Sequence, residues 1–298
     1  MMVTDPYETA AGLVTRSAAA YVLSVPDDPA DDGFFGPASV SWRVSADLST
    51  PVAGLRALLM QALHPLAMAG VDQHSGWRQD PVGRLAATSA YVATITFGER
   101  GAAERAAARV RRIHERVRGV DPVTGRAYEA SDPALLLWVH AALVESTVVA
   151  CELFGNPLSP ADSDRYVAEM AVAAELVGVP GELIPANLAE LTQYLSSVRP
   201  ELRCTPAARE SVAYVLDPPG LDEDIAEIWQ DIRDATVAAL PGWAQEMYGF
   251  ATPAPLTPAR RTEIRQALGV LDAVFLGEPG VLEARQRTAL RMRSAQRA

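Results

Sequence analysis

The stretch AAERAAARVRRIHERVRG (residues 102–119) decides how this chain reads. Ala103, Ala106, Ala107, Val110, Ile113 and Val117 recur at three- and four-residue steps, which places them on one stripe of an α-helix. The spacing predicts a helix from about Ala102 to Arg118, stopped by Gly119 as a C′ residue. His114 lies four residues after Val110 and three before Val117, so it falls on the apolar stripe. Arg111 and Arg118 sit at the stripe's edge, while Arg105, Arg109, Arg112 and Arg116 belong to the wetter side.

The same helical spacing runs through the rest of the chain, and strand-like alternation is scarce, so the chain reads as almost entirely α. Residues 1–50 hold material for two helices around a loop from Pro26 to Gly36. A helix from about Pro51 to Leu63 should end or kink at His64, because Pro65 restricts the residue before it. Asp80-Pro81 has the pattern of an N-cap followed by proline in the first turn, opening a helix that stops near Gly98. Asp121 to Ala130 reads as a turn-rich loop. Ser131-Asp132-Pro133 opens a long apolar helix to about Leu153, and Ser159-Pro160 another through Leu176. Beyond residue 181, breaks at Pro218-Pro219-Gly220, Pro241-Gly242 and Pro253 to Pro258 divide four or five helices. Glu283 to Ala298 reads as a solvated, arginine-rich helix. The whole, residues 1–298, is read as one domain.

Composition excludes several kinds of chemistry. All 26 basic residues are arginine, so lysine-dependent Schiff-base chemistry and a P-loop are excluded. Two cysteines, Cys151 and Cys204, are too few for a cysteine-built zinc or iron–sulfur site. A net charge of −11 argues against nucleic acid as partner and against anchoring to an anionic membrane. No apolar run is read as long enough to cross a bilayer, and Met1 to Ser17 lacks the pattern of a signal peptide. Cytoplasmic location and no stable membrane insertion are the expectations.

The four histidines are His64, His74, His114 and His140. A buried neutral imidazole beside guanidinium groups can ligate the iron of a porphyrin and pair with its carboxylates. For His114 the alternative is a core histidine bonded to a carbonyl. His140, within LLLWVHAALVE (residues 135–145), reads in the same two ways. His64 can face a pocket or cap carbonyls freed by Pro65, and His74 reads as a loop residue. Arg84 and Thr88, four apart, share a helix face on which they could bind a carboxylate or dioxygen. The alternative is a surface arginine beside a threonine bonded to its own helix. No HExxH, GxSxG or Glu-x-x-His pattern is present, which argues against zincin, serine hydrolase and ferritin-like di-iron chemistry.

Five segments, in order, carry a resemblance. They are Phe35-Gly36-Pro37 with Ser41-Trp42-Arg43; Leu63-His64-Pro65 to Gly70-Val71 with His74-Ser75; Asp80-Pro81 with Arg84-Leu85 and Thr88; Phe97-Gly98 with Val110, His114, Val117 and Gly119; and Tyr128, Ala130 and Asp132-Pro133 to Trp138-Val139-His140. Together they resemble the DUF2236 family, which includes the MpaB oxygenases and the catalytic domain of the rubber oxygenases (latex clearing proteins). The match is close over about 35–180 and looser beyond, where residues 181–298 are taken as helices closing the pocket.

The resemblance implies an all-α, globin-like multi-helix bundle with a buried pocket, haem b, and oxidative cleavage of alkenes in isoprenoid chains. His114 matches the family's axial histidine, and Arg84 and Thr88 match its distal arginine and threonine. Ala87 stands where the rubber oxygenases have a lysine, which departs from their distal site and points to a smaller alkene or lipid-like substrate. The expectation is therefore a haem b-dependent oxygenase using dioxygen, with His114 on the metal and Arg84 and Thr88 catalytic. Arg111 or Arg118 would pair with the haem carboxylates, and His140 and His64 are second choices as ligand. The alternatives are a haem- or lipid-binding helical protein without turnover and a cofactor-free helical protein; a homodimer is left open.

Overall fold

The computed structural model describes residues 31–218, 223–251 and 256–276. The expected helices within residues 1–30 and Glu283 to Ala298 lie outside them. Among the described residues there are twelve α-helices, and the all-α multi-helix reading holds. They are α1 (Val40–Ser45), α2 (Thr50–Ala62), α3 (Pro65–His74), α4 (Pro81–Phe97), α5 (Arg100–His114), α6 (Pro133–Phe154), α7 (Pro160–Val177), α8 (Leu188–Val198), α9 (Pro206–Leu216), α10 (Glu223–Ala239), α11 (Gly242–Tyr248) and α12 (Pro258–Leu276). Most boundaries have a local cause. Asp80, Asp132, Ser159 and Thr205 each accept a hydrogen bond from a first-turn N–H, with proline inside the first turn.

His64 also caps a helix, but with the opposite polarity to the expected one. Its Nδ1 accepts from the Ala67 N–H at 3.4 Å, so it serves a free donor of α3 rather than the carbonyls of α2. Pro65 and this cap turn the chain through 102° between α2 and α3.

Helix α5 corrects the sequence reading. It stops at His114, and Arg118–Val120 forms strand β1, paired antiparallel with β2 (Ala127–Glu129). The segment expected to be helix end and loop is thus a hairpin. The cause is tertiary: Tyr128 is buried against Leu66, Ala69, Leu135 and Val117, and its hydroxyl donates to Gln73 Oε1 at 2.8 Å. A Cβ at Gly119 would meet that Gln73 oxygen and the Tyr128 hydroxyl at 2.7 Å, so glycine is needed here for close approach rather than as a helix stop.

The core is built on α2 and α6. Val52, Ala53 and Leu55 pack with Ala150 and Phe154 against α10 and α12. Leu59, Met60 and Leu63 pack with Trp138 and Ala142 against α9 and α11. The far face of α6 meets α1, α7 and α8 through Ala141, Val144, Tyr166 and Leu191. At 22 residues, α6 is long and apolar enough to cross a membrane, contrary to the reading that no run reaches that length. In this fold much of its apolar surface is packed against neighbouring helices.

An ion pair reaches into the core. The fully buried Arg56 of α2 forms a two-pronged ion pair with Glu145 of α6, Nη2 to Oε1 at 2.9 Å and Nη1 to Oε2. It also donates to Ser146 Oγ at 2.7 Å and to the Ala239 carbonyl at 2.8 Å. Removing one partner of such a pair leaves a charge without compensation. Glu145→Ala is therefore expected to destabilise the protein by about 3 kcal/mol in urea unfolding, and the double change Arg56→Met/Glu145→Leu to recover most of it. A loss below ~0.5 kcal/mol for the single variant would show that the pair contributes little to stability.

Candidate functional site

Helices α4 and α5 form an antiparallel hairpin around Gly98 and Glu99. Its closed end is packed: Ile95, Ala103 and Ala107 are buried together, with Tyr91, Phe34 and Phe35 beside them. Phe97 meets Trp42 of α1 edge to face at 5.0 Å. The other end is different. Leu85, Val92 and Val110 are only half-buried there, although the sequence makes both inner stripes apolar. This end holds Arg84, Thr88 and His114.

His114 is half-buried at the last position of α5. Its Nδ1 is shielded from solvent and has no hydrogen-bond partner. A carbonyl-bonded core histidine, the alternative reading, is therefore not what the fold contains. Burial pushes the imidazole below its usual pKa, and the positive charge of Arg84 acts in the same direction. The neutral form is the one that can ligate a metal.

Arg84 donates through Nη1 to Thr88 Oγ1 at 2.9 Å and through Nε to Ser75 Oγ at 3.2 Å. Thr88 donates its own hydrogen bond to the Arg84 carbonyl at 3.0 Å, which is the reading of a surface arginine beside a threonine bonded to its own helix. No carboxylate within ion-pair distance of Arg84 is found among the described residues. Surrounding protein lowers the pKa of this guanidinium, yet its surface is exposed, so water screens its charge.

Tyr91, which sequence reasoning left without a role, belongs to the same face of α4, seven residues after Arg84. Its hydroxyl is shielded and unpartnered, and burial pushes its pKa up to about 12, with Arg111 pulling the other way. The i, i+4, i+7 spacing of Arg84, Thr88 and Tyr91 was the signal available. Arg111 donates through Nη1 to the Leu176 carbonyl and keeps its remaining donors.

The other expected residues lie apart from this group. Arg118 is on exposed β1, not on α5, and its Nη2 reaches only the Glu115 carbonyl at 3.4 Å. His64 is buried at the α2–α3 corner beside Trp138. Burial lowers its pKa, and the charges acting on it are Glu201, Arg126 and Asp132, not those of α4 or α5. His74 ends α3, with Nε2 3.2 Å from the Arg118 carbonyl. His140 on α6 lies deep, where burial alone brings it down to about 4, yet it retains accessible surface beside half-open Leu143 and exposed Val139.

The residue types here are those a porphyrin would need. Among the described residues no three of His, Cys, Asp and Glu come together as a site for a bare metal ion. A porphyrin supplies the equatorial ligands itself, so one neutral imidazole suffices. The orphaned Nδ1 of His114, the uncompensated Arg84 and the loosely packed apolar side chains around them fit such a group.

Two outcomes follow. Tyr91→Phe removes a shielded hydroxyl without a partner, and is expected to stabilise the ligand-free protein by up to ~1 kcal/mol in thermal unfolding. His140 has a folded pKa of about 4 against 6.5 unfolded. Unfolding therefore takes up a proton between those values, so its contribution is intact above about pH 6.5 and is lost as pH falls towards 4. Between pH 7 and 4.5 this amounts to about 2 kcal/mol, which His140→Phe should abolish in urea titrations. An unchanged pH slope would mean that His140 is solvated.

Comparison with curated proteins and with solved structures finds no match. A family model described as "ER-bound oxygenase mpaB/B'/Rubber oxygenase, catalytic domain" matches residues 42–273. That span holds Arg84, Thr88, Tyr91, His114 and His140 and covers most of the chain. The chain therefore belongs to the MpaB/rubber oxygenase family and carries its oxygenase catalytic domain.

Proposed function

We propose that this chain is a haem b-dependent oxygenase acting on a hydrophobic alkene or lipid-like substrate. The observation that carries the reading is His114: a neutral imidazole with an orphaned Nδ1, within range of the uncompensated charge of Arg84. When bound, haem b supplies one-electron and dioxygen chemistry that no side chain here can perform.

The chain's own part is positioning and electrostatics. His114 would hold the iron through a neutral ring nitrogen. Arg84, held by Thr88 and Ser75, presents its remaining donors fixed before reaction, so little reorganisation is needed when negative charge develops beside it, and Thr88 positions it. Arg111, with donors left over after Leu176, would pair with the haem carboxylates. Half-open Leu85, Val92 and Val110 offer an apolar lining that keeps water away and suits an alkene without polar groups. Ala87 adds no competing nitrogen at the position of the rubber oxygenases' lysine, which favours a small apolar substrate over polyisoprene.

Absorption spectroscopy of protein expressed with haem precursor tests the ligand. A Soret band is expected in the wild type, and its loss or shift in His114→Ala but not in His64→Ala. A colourless wild-type protein, or an unchanged band in His114→Ala, would end this assignment. With the band present, Arg84→Ala should keep it and lower dioxygen uptake with an isoprenoid alkene by about 10²-fold. A Soret band without dioxygen uptake would identify a binding protein instead.

A further inference from the structure

The outer face of α5 is unlike the rest of the surface. Arg105, Arg109 and Arg112 fall within about 60° of arc on the helix, opposite Ala103, Ala107 and His114. Arg116 follows in the turn beyond the helix end. All four are exposed, and among the described residues no ion pair or side-chain hydrogen bond engages them. This is not for want of acids. The chain carries net charge −11, and exposed Arg43, Arg78, Arg126 and Arg233 each reach a carboxylate. Residues 99–118 hold seven arginines against Glu99, Glu104 and Glu115, a local excess of four positive charges.

A second observation coincides with the first. Ile113, Val120 and Val123 are 50%, 56% and 50% exposed, three of the seven exposed large hydrophobic residues in the described structure, all within eleven positions. Ile113 flanks the arginine stripe on α5. Val120 shares the outer face of β1 with Arg118, since Gly119 between them faces α3.

We propose that this face docks peripherally on an anionic lipid surface, with the arginines on headgroup phosphates and Ile113, Val120 and Val123 in the interfacial layer. The whole-chain charge argues the other way, but it does not decide. Charges are screened over roughly 8–10 Å at physiological salt, so a surface feels the nearest face rather than the total. Guanidinium groups also match phosphate oxygens in pairs. An acidic protein segment would satisfy the arginines but leaves the apolar trio unexplained, which favours lipid. Docking would bring the His114 end of α5 to a bilayer, the source of an apolar substrate. That purpose rests on the oxygenase reading, whereas the docking itself does not.

Cosedimentation of the full chain with vesicles tests it, with no need for colour or turnover. Binding is expected to phosphatidylglycerol-containing vesicles, weakening with salt, and not to pure phosphatidylcholine. Each arginine near an anionic surface strengthens binding about five-fold, so Arg105→Gln/Arg109→Gln/Arg112→Gln should weaken it about 100-fold. Circular dichroism checks that the helices persist; if the triple variant does not fold, Arg109→Gln alone should give the five-fold loss. Ile113→Ser/Val120→Ser should weaken binding several-fold at any salt. Wild-type protein that stays in solution with anionic vesicles, or a folded arginine variant that binds like wild type, overturns the proposal.

Discussion

The ion pair between Arg56 and Glu145 is the constraint around which the remaining packing is arranged. It joins α2 to α6, and its third arm reaches the last carbonyl of α10. A buried guanidinium tolerates few geometries, because every donor left without an acceptor adds to the cost of desolvation. Apolar contacts such as Leu59 on Trp138 could slide by a turn at modest cost; the two-pronged pair could not. It therefore sets the register of the central helices. The other helices dock on that pair, and α1 and α7 in turn carry the α4–α5 hairpin.

The hairpin shows how a rigid fold can hold an underpacked site. Its closed end is secured by Ile95, Ala103, Ala107 and the Trp42–Phe97 contact. Its other end carries His114, whose Nδ1 is orphaned, and Arg84, which is held by Thr88 and Ser75 with no carboxylate in ion-pair distance among the described residues. The orphaned nitrogen lowers stability by an amount comparable to a lost hydrogen bond. Burial favours the neutral form of His114, which suits a ligand.

Much of this was legible in the residues themselves. Helix starts at Asp80-Pro81, Asp132-Pro133 and Ser159-Pro160 are local signals, since a cap and a proline act on backbone groups a few residues away. The four-residue spacing of Arg84 and Thr88 sufficed to put them on one face, and the order of five short motifs pointed to the family that the match over residues 42–273 bears out. The end of α5 was not legible. Periodicity continues to Val117, but Val117 belongs to the core around Tyr128, and the hairpin's docking on α3 outweighs the few tenths of a kcal/mol per residue that helix propensity offers.

Local spacing and chemistry alone thus determined the helical class, most helix starts, the pairing of Arg84 with Thr88, and the family. Tertiary structure alone decided that His64 caps α3, that Arg118 leaves the His114 helix, that Tyr91 joins the site, and that Arg56 finds Glu145 across 89 positions of sequence. The division has one physical cause. Capping and periodicity act between neighbours in the chain, whereas desolvation and ion pairing depend on which distant segments exclude water together.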